Sequence, residues 1–156
     1  KTAALLQWCA TVGGLAAPAT LPMLRTYGHH CGMAFQIADD LLDFCTPSTR
    51  SGKPAAQDLR EGNLTLPLIA AVKENPGLRD MVFELAKSFP QQDGKENQDL
   101  IKRIVAAVRD CRGIDFARKE ALRHAQQAQN ACSSLPDTAT RRALTELALF
   151  AAHRSC

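Results

Sequence analysis

The chain has 156 residues, 46% of them hydrophobic, with a formal net charge of +3 and only 5% aromatic residues. A domain of that size buries about 68–70% of its unfolded surface, and the hydrophobic content excludes a disordered segment. The charge is too mild, and its 19 lysines and arginines too evenly spread, for a nucleic-acid partner; so few rings also make a poor platform for stacked bases.

The opening KTAALLQW reads as a helix, without the basic start and apolar centre of a signal peptide. No residue from Ala3 to Leu24 is charged, but Gly13, Gly14, Pro18 and Pro22, with Gln7, Thr11 and Thr20, argue against a transmembrane segment. A helix over 2–16 is expected there, then a turn and a second helix over 22–45. Next comes TPSTRSGKPAAQDLREGN, a polar loop of 18 residues; loops that long within a compact domain are usually functional or disordered. Further helices are expected over 65–75, 77–89, 96–112, 114–134 and 138–153. Ile101, Ile104, Val105 and Val108 repeat at the spacing of one buried face, and Pro136 and Asp137 stop one helix and start the next. No alternating β-branched run and no internal repeat appears, so the fold class is all-α.

Trp8, Met23 and Met33 read as packing residues. The six cysteines (9, 31, 45, 111, 132 and 156) form no CxxC pair and read as reduced thiols of a cytoplasmic protein, Cys31 and Cys45 as small buried hydrophobes. His29 and His30 read as solvent or subunit contacts.

FQIADDLLDF, residues 35 to 44, holds the strongest signal. On a helical wheel Gln36, Asp39, Asp40 and Asp43 fall within a sector of roughly 100°, and every other position is apolar. A surface helix has the reverse pattern, a narrow apolar stripe and a broad polar face. The helix is therefore expected to be buried nearly all round, its acidic stripe facing an internal cleft. Like charges three or four residues apart cost about 0.2–0.5 kcal/mol per pair in water, and more when desolvated. Protonation of one carboxylate relieves this, and so does a divalent cation such as magnesium, which prefers carboxylate oxygens and is commonly shared with substrate phosphates. The following loop offers Arg50, Lys53 and Arg60 beside Gly52 and Gly62; a loop lysine next to glycine suits a polyanion with several oxygens. Asp58 would either orient Lys53 or solvate the loop. Carboxylates, a divalent cation and the loop's Lys53 with its arginines together describe a diphosphate site.

GMAFQIADDLLDF followed by SGKPAAQDLREGNLTLPLI resembles the second aspartate-rich region of the trans-isoprenyl diphosphate synthases, or polyprenyl synthetases. The pattern FQxxDDxxD and then GKxxxxDxxxGxxTLP is long and ordered, and the likeness continues through GIDFARKEALRHAQQAQNACSSLPDTATRRAL. The resemblance implies an all-α bundle of the isoprenoid-synthase type, with residues 1–156 forming the C-terminal portion of its domain. It implies that Lys1, Thr2 and Gln36 contact the allylic diphosphate, that Asp39, Asp40 and Asp43 hold magnesium (Mg2+) on it, and that Lys53 neutralises the leaving diphosphate. Catalysis would then rest on Asp39, Asp40 and Lys53. The implied reaction condenses an allylic diphosphate with isopentenyl diphosphate, lengthening a linear isoprenoid in the cytoplasm.

The first aspartate-rich region of that family, and the arginines that accompany it, match nothing in these 156 residues. Asn63 stands where farnesyl-type relatives often have lysine and looks like the long-chain branch. The resemblance implies a homodimer, or association with the missing N-terminal half. A non-catalytic partner subunit keeping one diphosphate site is the alternative. A terpene cyclase or hydrolase would also suit an acidic helix, but the loop matches synthases.

Overall fold

The computed structural model describes residues 1–45, 56–88 and 95–154. Every regular element among them is helical: α1 (Thr2–Gly13), α2 (Leu21–Cys45), α3 (Gln57–Arg60), α4 (Leu66–Glu74), α5 (Pro76–Lys87), α6 (Lys95–Asp110), α7 (Gly113–Ala131) and α8 (Ala139–His153). The expected all-α class therefore holds. Three boundaries differ from the sequence expectation. α1 stops at Gly13, where the chain tightens into 3-10 turns at Gly14–Ala16 and Pro18–Thr20, because proline cannot continue the helical hydrogen bonding. α7 likewise ends at Ala131 and passes into a 3-10 turn at Cys132–Ser134. The third is α3, which lies inside the expected loop; its four residues are too few to produce a periodic signal. Elsewhere the caps are local. The Asn75 side chain accepts the Gly77 N–H between α4 and α5, with Pro76 at the first helical position, and Thr138 accepts the Arg141 N–H at the start of α8.

The chain divides into two compact units, Lys1–Asp39 with Arg118–Ser155, and Asp40–Ala117. In the first, α1 lies against α2 at very short range. A Cβ at Gly28 would sit 2.7 Å from the Ala10 Cβ and from the Leu6 carbonyl oxygen, and one at Gly32 would sit 2.6 Å from the Ala3 Cα. Residue 32 thus faces residue 3 and residue 28 faces residues 6 to 10, so the two helices run antiparallel. The Tyr27 hydroxyl donates to the Leu144 carbonyl (2.9 Å), joining α2 to α8. Leu5, Trp8, Val12 and Leu15 lie on the other side of α1 and its following turn, all exposed, Trp8 at 64%. Trp8 is therefore not the packing residue expected from its size, because the α1 face turned to α2 carries Ala3, Leu6 and Ala10 instead.

The second unit has a core of Phe44, Ala56, Leu59, Leu68, Ala71, Leu78 and Leu85 closed by one face of α6. That face is the one expected: Ile101, Ile104, Val105 and Val108 are buried, each contributing about 1.5–3 kcal/mol. Arg109 on α6 donates from Nε to the Phe44 carbonyl (2.7 Å), so a cation satisfies one of the unpaired carbonyls at the end of α2. Gly113 is a second close approach, where a Cβ would lie 2.6 Å from the Pro67 carbonyl oxygen.

Cys9, Cys31, Cys111 and Cys132 are free thiols, and Cys31 is buried as expected. Cys45 is disulfide-bonded, which corrects the all-reduced reading: sequence spacing does not reveal which distant cysteines a fold brings together. No helix among the described residues is long and apolar enough to cross a membrane.

Candidate active site

All three aspartates of the stripe belong to the continuous helix α2, 25 residues long. Ala34, Ile37, Ala38, Leu41 and Phe44 around them are buried, as the wheel requires. Gln36, Asp40 and Asp43 are half-buried, whereas the Asp39 side chain is 55% exposed. The expectation of a stripe facing wholly inward is thus corrected for Asp39, which falls at one edge of the polar sector. Its carboxylate lies 4.0 Å from Arg154, just past the end of α8, and the same guanidinium stacks 4.3 Å above the Phe35 ring. Sequence reasoning missed Arg154; no local pattern marks a partner that only the packing of α8 brings to α2.

Asp43 does something different. Its Oδ1 accepts the Gln57 N–H (2.8 Å) and its Oδ2 the Asp58 N–H (2.9 Å), while its carbonyl accepts the Ala56 N–H (3.1 Å). Every helix start leaves such amides unpaired, and Ala56, at the N-cap of α3, has no side chain able to accept them. The carboxylate from α2 takes that role from a distance. Ala56 pays for the arrangement with a left-handed backbone, φ 58° and ψ 48°, while fully buried. Beyond α3, Asn63 folds back, its N–H donating to the Asp58 carbonyl (2.8 Å) and its Nδ2 to the Asp58 carboxylate (3.3 Å).

Lys1 and Thr2 open α1, whose first turn contains no acidic residue. Because Ala3 faces Gly32, the pair sits roughly one helical turn from the level of Gln36. Lys53, with Arg50 and Gly52, lies outside the described residues.

His30 and His124 meet within the first unit, their Nδ1 atoms 2.8 Å apart. Arg123 Nη2 lies 3.2 Å from His124 Nε2; guanidinium only donates, so Nε2 accepts and the His124 proton is on Nδ1, directed at His30. This corrects the reading of His30 as a solvent or subunit contact. Burial, then Arg123 and His30, push His124 down to about 4, and burial together with His29 and Arg123 also lowers His30. The native pair therefore stays neutral where the unfolded chain already binds protons. Stability is expected to be full above pH 6.5 and to fall as pH drops from 6.5 towards 4. Melting curves across that range test this, and His124→Gln is expected to flatten the slope.

The donor set on α2 consists of carboxylate oxygens, the ligands a hard divalent cation selects. Among the described residues no three His, Cys, Asp or Glu side chains enclose a metal on their own. Magnesium suits such a partial set, since it is commonly held by one or two carboxylates with waters and substrate phosphates completing the shell.

The chain is similar to several known proteins. The polyprenyl synthetase family profile matches residues 1–108. The chain is 34% identical to the octaprenyl diphosphate synthase of Escherichia coli over 99% of its own length and 47% of that protein. It is 32% identical to heptaprenyl diphosphate synthase component 2 of Geobacillus stearothermophilus, again over 99% of this chain and 47% of that one. The fold superposes on the crystal structure of a polyprenyl synthase from Caulobacter crescentus, complexed with calcium and isoprenyl diphosphate, with a TM-score of 0.83 and 31% identity, covering 100% of this chain and 47% of that one. The chain thus spans about half the length of the relatives it matches. With the FQxxDDxxD and TLP segments both inside the matched region, the chain belongs to the polyprenyl synthetase family.

Proposed function

We propose that the protein is a cytoplasmic, magnesium-dependent prenyltransferase that condenses an allylic diphosphate with isopentenyl diphosphate to lengthen a linear isoprenoid. We further propose that residues 1–156 are the C-terminal portion of its catalytic domain, working as a homodimer or with a preceding half of the bundle. The observation that carries this reading is the Asp39, Asp40 and Asp43 stripe on an otherwise apolar helix, within the span matched by the family profile.

In this reading the C–O bond of the allylic diphosphate breaks and diphosphate leaves with the electron pair. The isopentenyl double bond attacks the resulting carbocation, and a proton is lost from the adjacent carbon. Asp39, Asp40 and Asp43 would hold the cation, which when bound would supply positive charge to the departing oxygens. Asp43 has lone pairs left for this beside its two amide bonds, and so also fixes α3. Lys1 and Thr2 offer an ammonium, a hydroxyl and the unpaired amides of a helix start to the diphosphate, with Gln36 nearby and Lys53 neutralising the leaving group. The calcium and isoprenyl diphosphate bound to the Caulobacter protein support a metal-diphosphate site of this kind.

The test is an assay of the whole protein with labelled isopentenyl diphosphate and an allylic primer, with and without a chelator. Elongation that stops on chelation is expected; no elongation with any primer would sink the reading. The name of the Geobacillus relative, component 2, favours a second reading in which the protein is one subunit of a two-component synthase. Elongation only after a partner subunit is added would select it.

A further inference from the structure

The second unit contains a cavity of about 640 Å³ between α4 and α5, within the 300–1,000 Å³ range of small-molecule sites. No residue of the acidic stripe lines it. Its floor is Leu59, Leu68 and Leu85, which are buried, and its rim is Leu64, Ile69 and Phe83, which are 59%, 41% and 55% exposed. Water thus meets a concave, almost wholly apolar surface, an arrangement that favours an apolar occupant.

The charged residues at the cavity are unevenly matched. Glu61, beside Gly62 and Leu64 and so away from the connection between α4 and α5, accepts from Gln57 Nε2 at 2.7 Å and from Asn63 Nδ2 at 3.5 Å and keeps its charge, leaving two cations against one anion on the lining. Lys73 and Arg79 also line the cavity, and neither forms an ion pair among the described residues; Arg79 lies 5.4 Å over the Phe83 ring. Lys73 is in the last turn of α4 and Arg79 in the first turn of α5, so both cations flank the single connecting residue, Asn75. Leu64 precedes α4, and Leu85 is in the last turn of α5. Of the charged residues on either side of Asn75, Lys73 and Arg79 line the cavity and Glu74 and Asp80 do not, so the cavity meets positive charge at the connection between the helices.

We infer that this cavity binds a free amphiphilic anion: an apolar chain seated on Leu59, Leu68 and Leu85, with a terminal phosphate or carboxylate held by Lys73 and Arg79. Charge complementarity selects this occupant, because a neutral chain would leave both cations unmatched and a small anion would leave the apolar floor wet.

Calorimetric titration of the purified protein with dodecyl phosphate, below its micelle concentration, tests the inference. One-to-one binding is expected, with shifts of the Ile69 and Val72 methyl signals in NMR spectra. The doubly substituted Lys73→Gln, Arg79→Gln protein is expected to bind at least tenfold more weakly with an unchanged melting curve, since both side chains are exposed. Dodecyl glucoside, the uncharged counterpart, is expected to bind wild type and variant alike, and weakly; inorganic phosphate is expected not to bind. The inference is overturned if glucoside and phosphate amphiphiles bind equally, or if the double variant binds like wild type. It is also overturned if only anionic vesicles are bound and not the free amphiphile.

Discussion

Replacing Asp39 with alanine in the whole protein is expected to lower turnover about 10²-fold or more while leaving the melting temperature unchanged. Under the proposed function the loss follows from weakening the hold on the cation that offsets charge on the departing oxygens; one preorganised stabiliser of that kind is typically worth 10²–10³ in rate. The unchanged stability follows from exposure. The Asp39 side chain is 55% accessible and its ion pair with Arg154 spans 4.0 Å, the sort of surface contact that contributes about 0–1 kcal/mol. Steady-state kinetics over a range of magnesium concentrations, beside a thermal melt, gives both numbers. Full turnover in the variant would remove Asp39 from the metal site.

Asp43→Ala is expected to act on both quantities at once. It deprives the Gln57 and Asp58 amides of a charged acceptor, and losing a cap of this kind costs roughly 0.5–2 kcal/mol, more where the bonds involve a charged group. About 2 kcal/mol is the expected total, lowering the melting temperature by about 4–8 °C for a chain of this length. Asp43→Asn keeps one acceptor oxygen and should recover part of the stability but little of the activity, because the negative charge is gone. A melt identical to wild type for Asp43→Ala would mean that the carboxylate does not hold α3. Under the proposed function, these two experiments are expected to separate an aspartate that serves the reaction alone from one that also holds α3.

The contrast shows what the sequence made legible. Hydrophobic periodicity located the long helices and the buried face of α6, since burial of Ile101, Ile104, Val105 and Val108 is what that spacing encodes. The acidic stripe was legible for the same reason. The hydrogen bonds from Asp43 to residues 57 and 58 were not, because no rule of local spacing connects a carboxylate in one helix with the start of another. The same holds for His30 with His124, 94 positions apart, and for Arg154 with Asp39. Trp8 was misread because size and apolarity say which residues prefer the interior, not which face of α1 meets α2.

The left-handed backbone at Ala56 couples two positions energetically. That conformation costs an alanine roughly 1–2 kcal/mol, and the hydrogen bond from its amide to the carbonyl of residue 43 helps hold it there. Weakening the attachment of α3 at Asp43 releases some of that tension, whereas glycine at 56 never carries it. Substitutions at 43 and 56 are therefore epistatic: the effect of either depends on the state of the other, and their separate costs do not sum.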